Sequence, residues 1–294
     1  MQNALPDRAA FDPDGQPPMP FPAANDYARR VMGWARQPLP ADVVPVPDIA
    51  YGAYRLQRYN VFAPDGARDA PVLVFWHGGG WTNGYRDYVS FMAPHVVRLG
   101  LVLVAPSYRL VSDARLPAAF DDCCALLRHL APNIGAHGGA ADRLYLSGHS
   151  AGGHLAALTT LRAGDALGPA LPAGAVRACL PISGIMDLHH PDPPPGSLEE
   201  RVYTAVLRDA DDDAAMSPIC WTAGNRVPFL LLHGEHDSAR VMRSNRRMLS
   251  LLRLQKAPAE LRVEASADHF TTHTMLADGT HPWYARLAQL VRED

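Results

Sequence analysis

Short apolar runs recur along the chain, separated by amphipathic stretches of helical period. Residues 72–76, 101–105, 144–146, 178–182 and 229–232 are almost unbroken in hydrophobic side chains, as in strands covered on both faces. Between them, residues 118–130, 151–161 and 239–254 carry apolar positions at helical spacing. This alternation predicts an open, mostly parallel sheet with helices on both faces. Looser alternation over residues 54–62 predicts a half-buried antiparallel strand, which Pro64, Asp65 and Gly66 end in a turn. A further strand is expected at 260–263 and a closing helix at 282–291.

Two regions break the rhythm. Residues 1–50 are rich in proline, including Pro17, Pro18, Pro20, Pro22, Pro38, Pro40, Pro45 and Pro47, which interrupts helices and removes strand donors. Only residues 25–36 look helical there, with Tyr27, Val31 and Trp34 on one face. The expected organisation is a segment 1–50 wrapped over a single domain 51–294, with an excursion above the sheet edge at about 184–221.

Composition narrows the classes. At 48% hydrophobic and 19% charged over 294 residues, the chain has material for a sizeable core. The net charge of −3 and scattered basic residues exclude a nucleic-acid footprint. Arg243, Arg246 and Arg247 read as a solvated helix face. Residues 1–14 show no secretory pattern, and no apolar run reaches the roughly 20 residues of a membrane span. The expectation is a soluble, cytoplasmic protein without a membrane partner, and a homodimer is left open. Cys123, Cys124, Cys179 and Cys220 lack paired spacing and read as reduced core thiols.

The chemistry concentrates after the strands. Leu144-Tyr145-Leu146 runs into Ser147-Gly148-His149-Ser150-Ala151-Gly152, a strand followed by G-x-S-x-G and a helix, as in a nucleophile elbow. A serine hydroxyl needs a base and a group that orients it. Asp237 follows the strand 229–232, with Glu235 as its nearest rival, and His269 follows the last strand. That gives the order Ser, Asp, His of the α/β-hydrolase fold. His273 and His281 would need longer loops and are expected at the surface. His77-Gly78-Gly79-Gly80-Trp81 after strand 72–76 matches the oxyanion loop of esterases, so N–H groups of Gly79, Gly80 and Ala151 are the expected oxyanion donors. No Walker lysine follows it. His189-His190 and His233/His236 lack zinc-site spacing, so no metal and no cofactor is expected. His149 and His154 are assigned packing or supporting hydrogen bonds.

Together these blocks resemble the arylformamidase, or kynurenine formamidase, branch of the α/β-hydrolases. The resemblance runs from about Tyr54 to the closing helix. It includes HGGGW at 77–81, Tyr-Arg-Asp-Tyr at 85–88, SYRL at 107–110 and GHSAGGHLA at 148–156. It continues through SGIMDL at 183–188, SP at 217–218, HGEHDS at 233–238 and DHF at 268–270. HGGG and the elbow are shared with hormone-sensitive-lipase-like esterases. Formamidases of that branch often carry HGGYW, so Gly80 brings this chain nearer the esterases.

The resemblance implies a small-molecule aryl formamide as substrate, with N-formyl-L-kynurenine cleaved to formate and kynurenine through a formyl-enzyme on Ser150. Trp81 would then either contact an aromatic leaving group or anchor the oxyanion loop. The alternative is a carboxylesterase on small or aryl esters, since both reactions share a tetrahedral intermediate. A binding protein on a retired hydrolase scaffold is the non-enzymatic alternative.

Overall fold

A computed structural model describes Asp12 and residues 15–167 and 171–293; apart from Asp12, residues 1–14 and the reading made of them lie outside it. Eight strands form one sheet: β1 (Val43–Ala50), β2 (Arg58–Pro64), β3 (Ala70–Trp76), β4 (Val102–Pro106), β5 (Gly139–His149), β6 (Val176–Ile182), β7 (Phe229–His236) and β8 (Ala259–Asp268). Their order is β1-β2-β4-β3-β5-β6-β7-β8. β1–β2 and β2–β4 pair antiparallel and every other pair is parallel.

The helices are α1 (Pro22–Ala35), α2 (Ala93–Arg98), α3 (Pro117–Asn133), α4 (Ala151–Leu167), α5 (Ala239–Leu252) and α6 (Pro282–Arg292), with shorter turns between them. Alternate residues of β3 serve opposite layers. Val72, Val74 and Trp76 pack with Leu126 and Leu127 of α3 and Leu155 of α4, whereas Leu73 and Phe75 pack with Val96 of α2 and Trp283 of α6. Every residue of β3 and β4 is buried, which is why their sequences show no polar alternation.

The expected fold class is observed, with three local differences. β1 lies within the proline-rich segment: Pro45 and Pro47 are tolerated because β1 is an edge strand with a register shift between Val46 and Ile49. The first antiparallel strand expected at 54–62 begins at Arg58, because Tyr51 N–H folds back on the Gln57 carbonyl at 2.9 Å. Cys220 is exposed, unlike the three buried thiols, because it sits on the short turn Pro218–Trp221 of the excursion.

The excursion carries the short helix Leu198–Arg201, capped by the Ser197 hydroxyl, and a wide turn at Val202–Val206. His154 Nε2 holds the Met216 carbonyl at 2.6 Å, tying the excursion to α4. Arg243, Arg246 and Arg247 are exposed on α5. Among the described residues, no helix is long and apolar enough to cross a membrane.

Candidate active site

Loops leaving the C-terminal ends of β3, β5, β7 and β8 converge at one edge of the sheet, the position where open α/β sheets bind ligands. Ser150 stands between β5 and α4 with φ 56°. For a residue with a Cβ this left-handed conformation is strained by roughly 1–3 kcal/mol. The turn is so tight that a Cβ on Gly148 would lie 2.4 Å from the Gly152 backbone, and one on Gly152 would lie 2.1 Å from the Trp76 carbonyl. Both glycines are therefore steric requirements.

His269, just beyond β8, reaches back to this turn. Its Nε2 lies 2.8 Å from Ser150 Oγ and its Nδ1 lies 2.8 Å from Asp237 Oδ1. With Asp237 ionised, Nδ1 carries the proton and Nε2 is left as the acceptor facing the serine. The Asp237 side chain is fully buried. Burial by itself raises its pKa, but hydrogen bonding and charge from His269, with the Ser238 N–H, pull it below the usual carboxylate value. Glu235 is turned outward and accepts the Ser266 N–H at 2.8 Å.

The glycine loop forms the facing wall. Gly79 and Gly80 adopt φ 126° and 61°, and a Cβ on Gly79 would meet the Asn83 carbonyl at 2.1 Å. The Gly79 carbonyl accepts N–H groups from Thr82 and Asn83, while among the described residues the N–H groups of Gly79 and Gly80 have no acceptor. Ala151 opens α4, so its N–H is one of the helix's unpaired first-turn donors. His77 anchors the loop through its stack on Tyr108, with ring centroids 4.4 Å apart. Desolvation lowers its pKa to about 4, so it is neutral. Trp81 is buried, with φ 59°, and its ring meets His154 edge-on at 5.0 Å.

A cavity of about 710 Å³ opens above Ser150 and His269. Its roof comes from both irregular regions: Met19, Phe21 and Tyr27 from the N-terminal segment, and Ile185, Leu198 and Val202 from the excursion. The N-terminal segment also grips the glycine loop, because the Pro17 carbonyl accepts from Asn83 Nδ2 and Gln16 Oε1 accepts the Gly84 N–H, each at 2.7 Å.

Two histidines depart from expectation. His273 is fully buried, stacked between His149 and Phe75, and its Nδ1 is 2.7 Å from the Tyr27 hydroxyl. A short helix at Thr271–Thr274 turns it back under the site without a long loop. His281 is also buried, and its Nδ1 caps α6 by accepting the Trp283 N–H. Sequence spacing missed Tyr27, His273 and the excursion's share of the cavity. Tyr27 alone had a signal, its place on the apolar face of α1.

Strand order, crossovers and elbow define an α/β-hydrolase. Residues 60–250 match the BD-FAE family, and the chain belongs to it. Esterase LipQ of Mycobacterium tuberculosis is 34% identical over 182 residues, covering 58% of this chain and 42% of that protein. Carboxylesterase NlhH of the same organism is 38% identical over 114 residues, covering 38% of this chain and 36% of its own length. The chain thus spans less than half the length of these relatives. Among solved structures, esterase B from Lactobacillus rhamnosis superposes with a TM-score of 0.75 at 20% identity, covering 92% of this chain and 91% of that one. A hyperthermophilic esterase from Pyrobaculum calidifontis gives 0.75 at 21% identity, with 92% and 88% covered.

Proposed function

We propose that the protein is a serine carboxylesterase acting on small or aryl esters. The observation that carries this reading is the hydrogen-bonded chain Ser150–His269–Asp237, 2.8 Å at each link, opening into a largely apolar cavity. Ser150 Oγ forms a bond to the ester carbonyl carbon as its proton passes to His269 Nε2. Negative charge develops on the carbonyl oxygen, and the N–H groups of Gly79, Gly80 and Ala151 are directed to stabilise it. The carbon–oxygen bond to the alcohol then breaks, with His269 returning the proton to the departing oxygen. Water, deprotonated by His269, attacks the acyl-enzyme and releases the acid and free Ser150. Asp237 keeps the imidazole in the required tautomer and stabilises the imidazolium.

The arylformamidase reading uses the same steps with a formyl group and an arylamine. The esterase reading is preferred because Gly80 stands where formamidases often place tyrosine, and because the relatives described above carry esterase names. Comparison of kcat/KM on short p-nitrophenyl esters and N-formylkynurenine decides between them. The esters are expected to be preferred by orders of magnitude, and a reversed order would replace esterase with formamidase. Failure of a fluorophosphonate to label Ser150 would remove both.

A further inference from the structure

The cavity has a one-sided charge. Arg29, Arg201 and Arg240 line it, and among the described residues no aspartate or glutamate does. Arg29 is exposed and paired with Asp26, and among the described residues the Arg201 side chain reaches only the Thr82 hydroxyl, at 3.4 Å. Arg240 is different because its side chain is 7% exposed. Among the described residues its Nε has no hydrogen-bond acceptor, and its Nη1 has only the Leu198 carbonyl at 3.4 Å. The nearest counter-charge, Glu199, stands 3.9 Å away, beyond hydrogen-bond reach.

A buried guanidinium with most of its donors unused is costly unless something satisfies it. Its setting sharpens this. Arg240 is in the first turn of α5, where the helix dipole already contributes positive potential and where an acidic residue would be the stabilising choice. Ser238, which caps that helix, lines the same cavity. Two sources of positive potential therefore meet within a largely apolar chamber that also contains Ser150. A planar guanidinium fork fits a carboxylate by paired N–H bonds.

The structure assigns Arg240, assisted by Arg201, as a carboxylate-recognition site, so that the preferred ester carries a carboxylate separate from the bond that is cleaved. This rests on the esterase reading and narrows it to monoanionic substrates.

Two substrate pairs test it, one for each side of the ester: 4-carboxyphenyl acetate against 4-carbamoylphenyl acetate, and 4-nitrophenyl hydrogen glutarate against 4-nitrophenyl 4-carbamoylbutanoate. In the wild type, the acid member of at least one pair should exceed its neutral partner in kcat/KM by about tenfold or more. Arg240→Gln should reduce that ratio about tenfold, with Arg240→Lys intermediate. Glu199→Gln, which removes the competing carboxylate, should raise it. Thermal melts check that the variants fold, and calorimetry with benzoate and benzamide measures anion binding without turnover. Turnover with no acid preference in either pair, or a preference unchanged in Arg240→Gln, overturns the anion site and leaves the esterase standing. Benzoate binding that is lost in Arg240→Gln, in a protein that turns over none of the esters, supports the anion site and sinks the esterase reading.

Discussion

His149 Nε2 lies 2.7 Å from the carbonyl oxygen of His269. The variable residue of the elbow thus holds the backbone of the histidine that faces the serine beside it. A carbonyl only accepts, so Nε2 carries a proton and donates. Desolvation, with the nearby His269, pushes the His149 pKa down to about 3; the ring is neutral at neutral pH and its tautomer is set. Behind it, the His273 ring stacks at 5.1 Å and is itself held by Tyr27 of α1. A chain of contacts therefore runs from the N-terminal helix to the Ser150–His269 pair.

His149→Ala should therefore disturb placement of His269 more than substrate binding. The expected result is a fall in kcat of about tenfold to a hundredfold with KM little changed. Stability should drop by about 1–3 kcal/mol as a buried hydrogen bond is lost. Steady-state kinetics and urea unfolding measure both. A change confined to stability would show that His149 has no part in positioning the base.

Ser150→Ala and His269→Ala should each lower kcat by several orders of magnitude without adding in the double variant. Asp237→Asn should be severely impaired, because the wrong imidazole tautomer would face the serine, whereas Glu235→Gln should act on the loop to Ser266 and leave turnover close to native. Ser150→Gly offers an independent check on the elbow. At φ 56° a glycine is unstrained, so this inactive variant should melt higher than Ser150→Ala, by about 1 kcal/mol in stability.

Acid should unfold the protein in a window set by its buried histidines. Burial depresses His149 to about 3, and His77 and His154 to about 4, against about 6.5 in an unfolded chain. Between these limits the unfolded state binds more protons, so stability rises with pH and is lost as pH falls from about 6.5 towards 4 and then 3. Each such histidine adds a slope of about 1.4 kcal/mol per pH unit. Urea titrations between pH 7.5 and pH 5 should show it, and a stability flat across that range would contradict neutral burial of these rings.

Much of the site was legible because it is written in local motifs. G-x-S-x-G needs its glycines for contacts within one turn, and the chain order Ser150, Asp237, His269 follows from strand order, so linear reading recovers both. Residues whose surroundings come from distant elements were not legible. His273 looked like a surface residue until a one-turn helix folded it under Phe75, and no local motif marks Arg240, which is enclosed by the excursion through Leu198 and Glu199. The prolines of β1 hid a strand because only its place at the sheet edge makes them tolerable.

Trp81 is packed edge-on against His154 and lines the cavity, a placement that leaves open both roles the sequence offered, leaving-group contact and loop anchor. Trp81→Phe should keep the loop in place and raise KM for aryl esters more than for alkyl esters. Trp81→Ala should also destabilise the protein, by about 3–5 kcal/mol. Equal effects of Trp81→Phe on aryl and alkyl substrates, read from kcat/KM, would reduce the residue to a loop anchor.

Gly79 and Gly80, the proposed oxyanion glycines, should respond differently to a side chain. A Cβ at Gly79 would overlap the Asn83 carbonyl at 2.1 Å, so Gly79→Ala must displace the loop and its N–H. Loss of one oxyanion donor is worth roughly a hundredfold to a thousandfold in kcat. At Gly80 the nearest atom to an added Cβ is Met19 Cε at 3.4 Å, which leaves room for substitution beside the cavity. Gly80→Tyr, the residue formamidases often carry, should cost about 1–2 kcal/mol for its left-handed backbone yet keep the backbone donor. Its ring would occupy space above Ser150, so butyryl esters should lose kcat/KM while formyl and acetyl esters retain it. If butyryl and acetyl esters fell together in Gly80→Tyr, the side chain would be acting on the oxyanion N–H groups, and the acyl chain would have to lie elsewhere in the cavity.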